Sequence, residues 1–526
     1  MAKPIVITDR VYVPVKHVDE YELKARFLKS VYNEDKCSQC PYRPERHSEV
    51  CDTCPGFLGN FKLFNEKTVK GVDYYGMSIG NKKDIKAVMR YEGKPEVIDK
   101  RAKPKFKYKI KFTGKLHEYQ EGPCNALLDK GYGILDAPPR SGKTVMLTQL
   151  FCKMGLKTLI LASQYDYLTQ FYETICGSDS QKPLTNVRDI EEFEGKKICG
   201  IVEKMADFDK YDIALCTYQT FITKKGKERL DEVKKKFGLL LIDEVDQTPA
   251  TCFSRVVNAF HSKHRIGCTG TTERKDGMHF LLEHIIGPVT AKAEVESLTP
   301  TVEFIETGVS TTYDYKVLAY AYRFLAKEKK RNELIVDWVM HDLKMGRSIV
   351  IPTMTVDHVK LLTKMINDRA GSKVAVGFTA SLMKSKDHRK KVIMDARKYK
   401  TKVIIGIRRM VQRGINVPRW DTLYEVMPIS NPPNFRQETA RILTPLPGKP
   451  EPTIRFFLDD FGFSKGCLRT CLYRQPGIAS MKFRVTKENW ATANKYVKKG
   501  TVLKIQKRTP GGSVSAQVPR KKIGKF

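Results

Sequence analysis

Five short apolar runs constrain this chain more than anything else in it. YGILDA, TLILAS, YDIALCT, LLLIDE and RIGCTG recur between about residues 113 and 295, separated by stretches of helical periodicity. Runs of this length read as strands of a parallel sheet, in which helices cover both faces and leave no solvated side to carry polar residues. The pattern returns between about 302 and 463 in SIVIPT, VAVGF, KVIIGI, TLYEVMP and IRFFLDD. Two similar α/β domains in tandem are expected, spanning 113–295 and 296–463.

The flanks differ from this core. Residues 1–112 read as an α+β accessory domain. An alternating strand in MAKPIVITDRVYV leads into a helix in DEYELKARFLKSVYNE, a cysteine cluster and mixed elements. Residues 464–526 hold sixteen Lys or Arg against the single acidic residue Glu488, and the end, GGSVSAQVPRKKIGKF, reads as disordered. That basic extension either contacts nucleic acid or is a solvated tail.

The formal charge is +35, from 94 basic and 59 acidic residues. A surplus of this size repels itself unless a polyanion is the partner. No run of apolar residues is long enough to cross a membrane, and the N-terminus lacks the apolar segment of a signal peptide. A soluble cytoplasmic protein is expected, in a host's cytoplasm if the source is viral.

Two smaller features carry their own chemistry. In KPKFKYKIKF, lysines 103, 105, 107, 109 and 111 alternate with Phe106, Tyr108, Ile110 and Phe112. This predicts a strand with one apolar and one basic face. It serves either as an edge protected by lysine or as a surface tracking phosphates. Cys37, Cys40, Cys51 and Cys54 form C-x2-C-x10-C-x2-C, the spacing of a four-thiolate tetrahedral Zn²⁺ site. A closed shell of four thiolates is structural. It holds the N-terminal domain together, or grips DNA or a protein.

Nucleotide chemistry is written into GILDAPPRSGKTVML. A strand, a small-residue loop and Gly142-Lys143-Thr144 precede a helix, so backbone amides can cradle phosphates. Lys143 would neutralise β/γ oxygens, and Thr144 would hold Mg²⁺. A hundred residues on, LLLIDEVD delivers Asp243 and Glu244 to the end of a buried strand. Asp243 would reach Mg²⁺ through water, and Glu244 would activate the attacking water.

In order the chain shows LHEYQ (116–120), APPRSGKT (137–144), TYQTF (217–221), DEVD (243–246), TGTTERKDG (269–277), RGINVP (413–418) and QETARILTP (437–445). It resembles superfamily 2 DNA helicases and translocases, within them the branch that holds XPB and the phage helicase UvsW. The resemblance implies two RecA-like domains, a phage or other viral source, and a monomeric motor driven by ATP. Branched or forked DNA would be the substrate, in recombination, repair or replication restart. It places Gln120 on the adenine and Arg140, Ser141, Gly142 and Gly414 at the nucleotide. Gln437 and Arg441 act on that nucleotide from the second domain. Thr217, Tyr218 and Gln219 touch the nucleic-acid backbone, Thr269 and Thr271 couple hydrolysis to movement, and Arg274, Lys275 and Asp276 assist strand separation.

The sequence departs from that pattern at Gly270, Thr272, Ile407, Asn416, Ala440 and Thr444. Thr444 stands where a second arginine is usual. Two rivals therefore remain: an RNA-directed ATPase of the same superfamily, and a zinc-dependent scaffold whose ATPase is dead.

Overall fold

The computed structural model describes residues 3–32, 57–138, 141–178, 181–222, 224–245, 250–270, 279–294, 298–311, 318–383, 385–415, 417–429, 432–460, 483–485 and 503–505. The chain forms two compact units, Met1–Val295 and Glu296–Phe526. No helix among the described residues is long and apolar enough to cross a membrane.

Unit 1 opens with β1 (Ile5–Ile7), β2 (Arg10–Pro14), β3 (Leu28–Tyr32), β4 (Phe57–Lys62), β5 (Phe64–Val69), β6 (Val72–Ser78) and β7 (Val97–Asp99). Five of them make a sheet in the order β5-β6-β2-β1-β7, while β3 and β4 pair separately. The expected long helix stops at Phe27, and Leu28–Tyr32 becomes β3. Pairing with β4 wins over the helical pattern there, placing Tyr32 opposite Phe57. This pair closes the ends of the cysteine-bearing stretch, whose four cysteines lie outside the described residues.

Seven strands follow: β8 (Tyr132–Asp136), β9 (Thr158–Ala162), β10 (Cys199–Ile201), β11 (Ile213–Thr217), β12 (Leu239–Ile242), β13 (His264–Thr269) and β14 (Val289–Lys292). Their order is β10-β11-β9-β12-β13-β8-β14, and every pairing is parallel. Both faces are buried, as the unbroken apolar runs required. Leu240 and Ile242 face a core shared with Val13, Phe27 and Met77 of the N-terminal region. Leu239 and Leu241 face the opposite core. Each such side chain contributes about 1.5–3 kcal/mol on burial. Arg265 adds a polar tie, donating to the carbonyls of Phe260 at 2.5 Å and Asp9 at 3.2 Å.

Residues 103–112 differ from the expectation of a strand. Their lysines are exposed and the alternate residues are buried or half-buried, so the two-faced character holds. Ladder bonding does not. Backbone groups bond instead to loops and side chains, with isolated bridges at Lys105 and Phe112. The apolar side docks onto the second core, where Ile110 is buried and Phe106 meets Phe151 edge-on.

Unit 2 contains β15 (Thr301–Ser310), β16 (Ile349–Thr353), β17 (Ala375–Phe378), β18 (Val403–Ile407), β19 (Thr422–Glu425), β20 (Thr453–Asp460), β21 (Phe483–Val485) and β22 (Leu503–Ile505). Their order is β17-β18-β16-β19-β20-β15-β21-β22, again all parallel. The first seven repeat unit 1's order with each strand advanced by seven. The basic extension supplies β21 and β22, which its composition gave no reason to expect. The final stretch predicted to be disordered lies outside the described residues.

Candidate active site

A parallel sheet puts every strand's C-terminal end along one edge. In unit 1 that edge collects Ala137, Ser163, Tyr218, Asp243 and Gly270, each directly following its strand, from five separate segments. The helix Lys143–Met154 begins there. Its cap residue, Gly142, is left-handed (φ 78°), and no side chain bonds to the first-turn amides. Those amides and the helix dipole suit an anion.

Gly142 is required by its surroundings. A Cβ would lie 2.3 Å from Gln120 Nε2. Gln120 is 1% exposed and holds the loop in place. Its Nε2 donates to the Ser141 carbonyl at 2.8 Å, and its Oε1 accepts from the His117 amide at 2.9 Å. Both ends of the amide are thus engaged by protein, which makes Gln120 a support for the phosphate loop. Tyr119 also donates to the Ser141 carbonyl, at 3.3 Å, and stacks on His117 with ring centroids 5.5 Å apart. Arg140 lies outside the described residues.

Lys143 donates to Glu244 Oε1 at 2.7 Å, with both side chains largely shielded. Burial alone would lower the Lys143 pKa, but Glu244, Cys268 and Asp243 together hold it well above the ordinary value. Asp243 is buried, and burial plus the charge of Glu244 push its carboxyl up to about 6. The Cys268 thiol donates to Asp243 Oδ1 at 3.0 Å. Glu244 has φ 47°, a region non-glycine residues rarely adopt, and strain of this kind collects at functional sites.

Two observations test this edge against a magnesium nucleotide. Among the described residues Ser141 Oγ is buried without a hydrogen-bond partner, in a loop whose helix amides have no side-chain cap. Asp243 is a desolvated carboxylate with a shifted proton affinity, which a cation would relieve. A hydroxyl at Thr144 and a carboxylate at Asp243 are hard oxygen donors of the kind Mg²⁺ takes. The residues fit the group.

Other predicted residues fall as follows. Thr217 ends β11, Tyr218 is buried just beyond, and Gln219 is exposed and donates to the Ser163 carbonyl at 3.2 Å. Thr269 ends β13, fully buried. Thr271, Arg274, Lys275 and Asp276 lie outside the described residues, as does Asn416.

In unit 2, Gly414 ends the helix Arg408–Gly414, and Gln437 lies in the helix Pro432–Ala440. Arg441 follows that helix and donates to the Ile415 carbonyl at 3.0 Å. Gln437 Oε1 and Thr444 Oγ1 are buried without hydrogen-bond partners among the described residues. Arg408 locks the two helices together, donating to Glu438 at 2.9 Å and Glu425 at 3.0 Å. Burial would lower its pKa, and the two carboxylates raise it beyond the ordinary value.

Sequence reading missed Cys268 and Arg408. Cys268 carried a usable signal, since it is the next-to-last residue of the apolar run RIGCT, near the strand end that also carries Thr269. Arg408 carried none, because its partners are 17 and 30 residues away.

Residues 113–274 match the family model for the res subunit of type III restriction enzymes. The DNA 3'-5' translocase XPB2 of Sulfurisphaera tokodaii is 31% identical over 207 residues, covering 39% of this chain and 41% of that protein. The chain thus spans less than half the length of that relative. A protein of Acanthamoeba polyphaga mimivirus, named as an ATP-dependent RNA helicase, is 22% identical over 390 residues, covering 70% of this chain and 67% of the other. Among solved structures, the helicase MrfA bound to DNA and AMPPNP superposes with a TM-score of 0.50 at 10% identity. It covers 75% of this chain and 57% of that one.

Proposed function

We propose that this chain, which carries a ResIII helicase domain and has XPB and viral helicases among its relatives, is an ATP-driven DNA helicase or translocase acting on branched or forked DNA. The observation that carries the reading is the contact of Lys143 with Glu244 beside buried Asp243, at the edge where an uncapped helix offers its amides. ATP with Mg²⁺, when bound, supplies the phosphoanhydride and a charge-neutralising cation held by Thr144 and Asp243.

The chain's own groups do the remaining work. Lys143 exchanges Glu244 for phosphate oxygens, which frees the Glu244 carboxylate to orient water and accept its proton. Cys268 fixes the orientation of Asp243. Ser141, Gly142 and the first-turn amides stabilise the charge that develops on the phosphoryl group. Arg441 and Gln437 act on the same nucleotide, with Arg408 as the residue that positions their helix. Thr217, Tyr218 and Gln219 contact the nucleic-acid backbone, and Thr269 and Thr271 link hydrolysis to stepping. The zinc module at Cys37, Cys40, Cys51 and Cys54 serves as an accessory contact or clasp. Recombination, repair or replication restart would use such an activity.

A second reading, an RNA-directed motor, is favoured by the name of the mimivirus relative. Strand displacement from forked DNA, blunt duplex DNA and forked RNA decides between them. ATP-dependent release confined to forked DNA is expected, and release confined to RNA would replace this reading with the second.

A further inference from the structure

Unit 1's nucleotide chemistry lies at the C-terminal edge of its parallel sheet. The lysine-rich segment 103–111 runs along the opposite edge, and backbone bonds trace it there. Ala102 N–H donates to the His261 carbonyl, and the Lys263 amide donates back to Ala102, just ahead of β13. Gly238, just ahead of β12, lets the segment pass so closely that a Cβ there would sit 3.1 Å from Lys103 Cα and from the Pro104 carbonyl oxygen. Before β9, the Lys157 amide donates to the Pro104 carbonyl at 2.9 Å, and the Phe106 amide donates to Gly155 at 3.0 Å. Before β11, the Lys107 amide donates to Asp212 Oδ2 at 2.7 Å. Finally the Lys111 amide donates to Asn186 Oδ1 at 2.7 Å, and Asn186 Nδ2 donates to the Lys109 carbonyl at 3.2 Å. The segment therefore crosses the strands in their spatial order, β13, β12, β9, β11.

From the segment's side this anchoring uses backbone groups, the Tyr108 hydroxyl and apolar side chains, and none of the lysine ammonium groups. All five lysines are exposed, and none of their ammonium groups makes an ion pair among the described residues. Nearby carboxylates are already engaged. Asp212 takes Lys157 at 3.2 Å, Asp99 takes Arg101 and Lys263, and Glu194 takes the Tyr108 hydroxyl at 3.1 Å. The segment bends at Lys107 and Tyr108, where the Ile110 amide donates back to the Tyr108 carbonyl at 3.0 Å, so the lysines follow a bent path along the sheet edge. They form a row of like charges that a polyanion would neutralise. Phe193 precedes Glu194, which meets Tyr108 midway along the row, on the helix Val187–Glu194. It is 89% exposed, an aromatic face left open by the described residues.

We propose that this row is a second nucleic-acid surface, which holds the phosphate backbone of an extended single DNA strand along Lys103, Lys105, Lys107, Lys109 and Lys111 while Phe193 stacks on a base. An exposed aromatic face stacks on an unpaired base, which a single strand offers and a duplex does not, and a flexible single strand can follow the bend of the row. The inference rests on the nucleic-acid reading above and extends it to the edge of the sheet away from the nucleotide. A strand held there would be gripped independently of the ATP cycle.

The test is binding of an oligothymidylate of about 20 nucleotides to the full chain, without nucleotide, across a salt series. Each phosphate contact to single strands contributes about 0.7 to the salt slope. Replacing all five lysines with Gln should flatten the slope by about 3.5 and weaken binding at least ~10-fold near 0.1 M salt. Replacing them with Arg should leave the slope intact. Phe193→Ala should weaken binding about 5- to 100-fold with the slope unchanged, because stacking releases no counterions. Should the fivefold variant fold poorly, Lys107→Gln with Lys109→Gln must still lower the slope by about 1.4.

An unchanged slope in the Gln variants overturns the proposal. So does lysine-dependent binding of phosphatidylserine vesicles with oligonucleotide binding unaffected. If the unmodified chain neither binds oligonucleotide nor hydrolyses ATP, the motor reading itself has failed. If it does both and only the lysine variants behave like wild type, this inference alone is lost.

Discussion

The two sheets share one strand order and put it to different uses. In unit 1, β8 runs into APPRSGKT and β12 into Asp243 and Glu244, so the strand ends bring Lys143 against Glu244 beside Asp243. In unit 2 the strand in the place of β8 is β15, which leads into TTYDYK without a glycine. The strand in the place of β12 is β19, followed by Val426 and Met427 where unit 1 has its two carboxylates. The polar groups of unit 2 are instead cross-linked internally. Arg331 pairs with Asp459 at 2.7 Å, both fully buried, Arg455 pairs with Asp342 at 2.6 Å, and Arg408 spans Glu425 and Glu438. One sheet architecture therefore carries a cluster of charged groups at its strand ends in unit 1 and buried ion pairs in unit 2. Function is set by the loops.

The largest effect that would sharpen this contrast is on stability. Arg331→Ala strands Asp459 in the core of unit 2 and should cost about 3–5 kcal/mol, read as a lower denaturant midpoint. Lys143→Ala should shift that midpoint by no more than about 1 kcal/mol while cutting ATP turnover about 100- to 1,000-fold. A large stability loss at Lys143 with a trivial one at Arg331 would break the comparison.

A smaller effect concerns pH, and it should appear in both units. His358 is buried between Thr353 and Asn332, and burial holds its pKa down to about 3, with Arg331 adding to the shift. Burial holds His284 of unit 1 down to about 4. In each case the unfolded chain takes the proton first, near the usual histidine value of about 6.5. Stability from each is full above that value and falls by about 1.4 kcal/mol per pH unit below it, ending near pH 3 for His358 and pH 4 for His284. Urea unfolding at pH 7 and pH 5 should therefore differ by about 2 kcal/mol for each group, and replacing either histidine with Gln should remove its share.

The smallest effect is at the cradle itself. Gly142→Ala forces a left-handed alanine against Gln120, which should cost about 1 kcal/mol and weaken ATP binding. Thermal unfolding and nucleotide titration read the two consequences separately.

Much of this was legible beforehand. Parallel strands announce themselves because both faces are buried, which leaves no polar alternation to confuse the period. The turn into the helix Lys143–Met154 was legible because its glycine, lysine and threonine are adjacent in sequence. What escaped depended on distance along the chain or on a partner. Lys103–Lys111 has the period of a strand, but it bonds to Asp212 and Asn186 instead of to a neighbouring strand, and no local pattern encodes those partners. Leu28–Tyr32 continues a helical pattern yet turns into β3 because β4, beginning 25 residues later, is available to pair. Gln120 was recognisable by its motif, while its tie to Ser141 depends on how the helix Glu118–Lys130 packs.

The most direct measurement of the central claim is steady-state ATP turnover with and without forked DNA, for the unmodified chain, Lys143→Ala and Arg441→Ala. The account predicts strong stimulation by DNA that both substitutions abolish, making one arginine from unit 2 sufficient despite Thr444. Tight DNA binding without turnover, or turnover indifferent to Arg441→Ala, would contradict it.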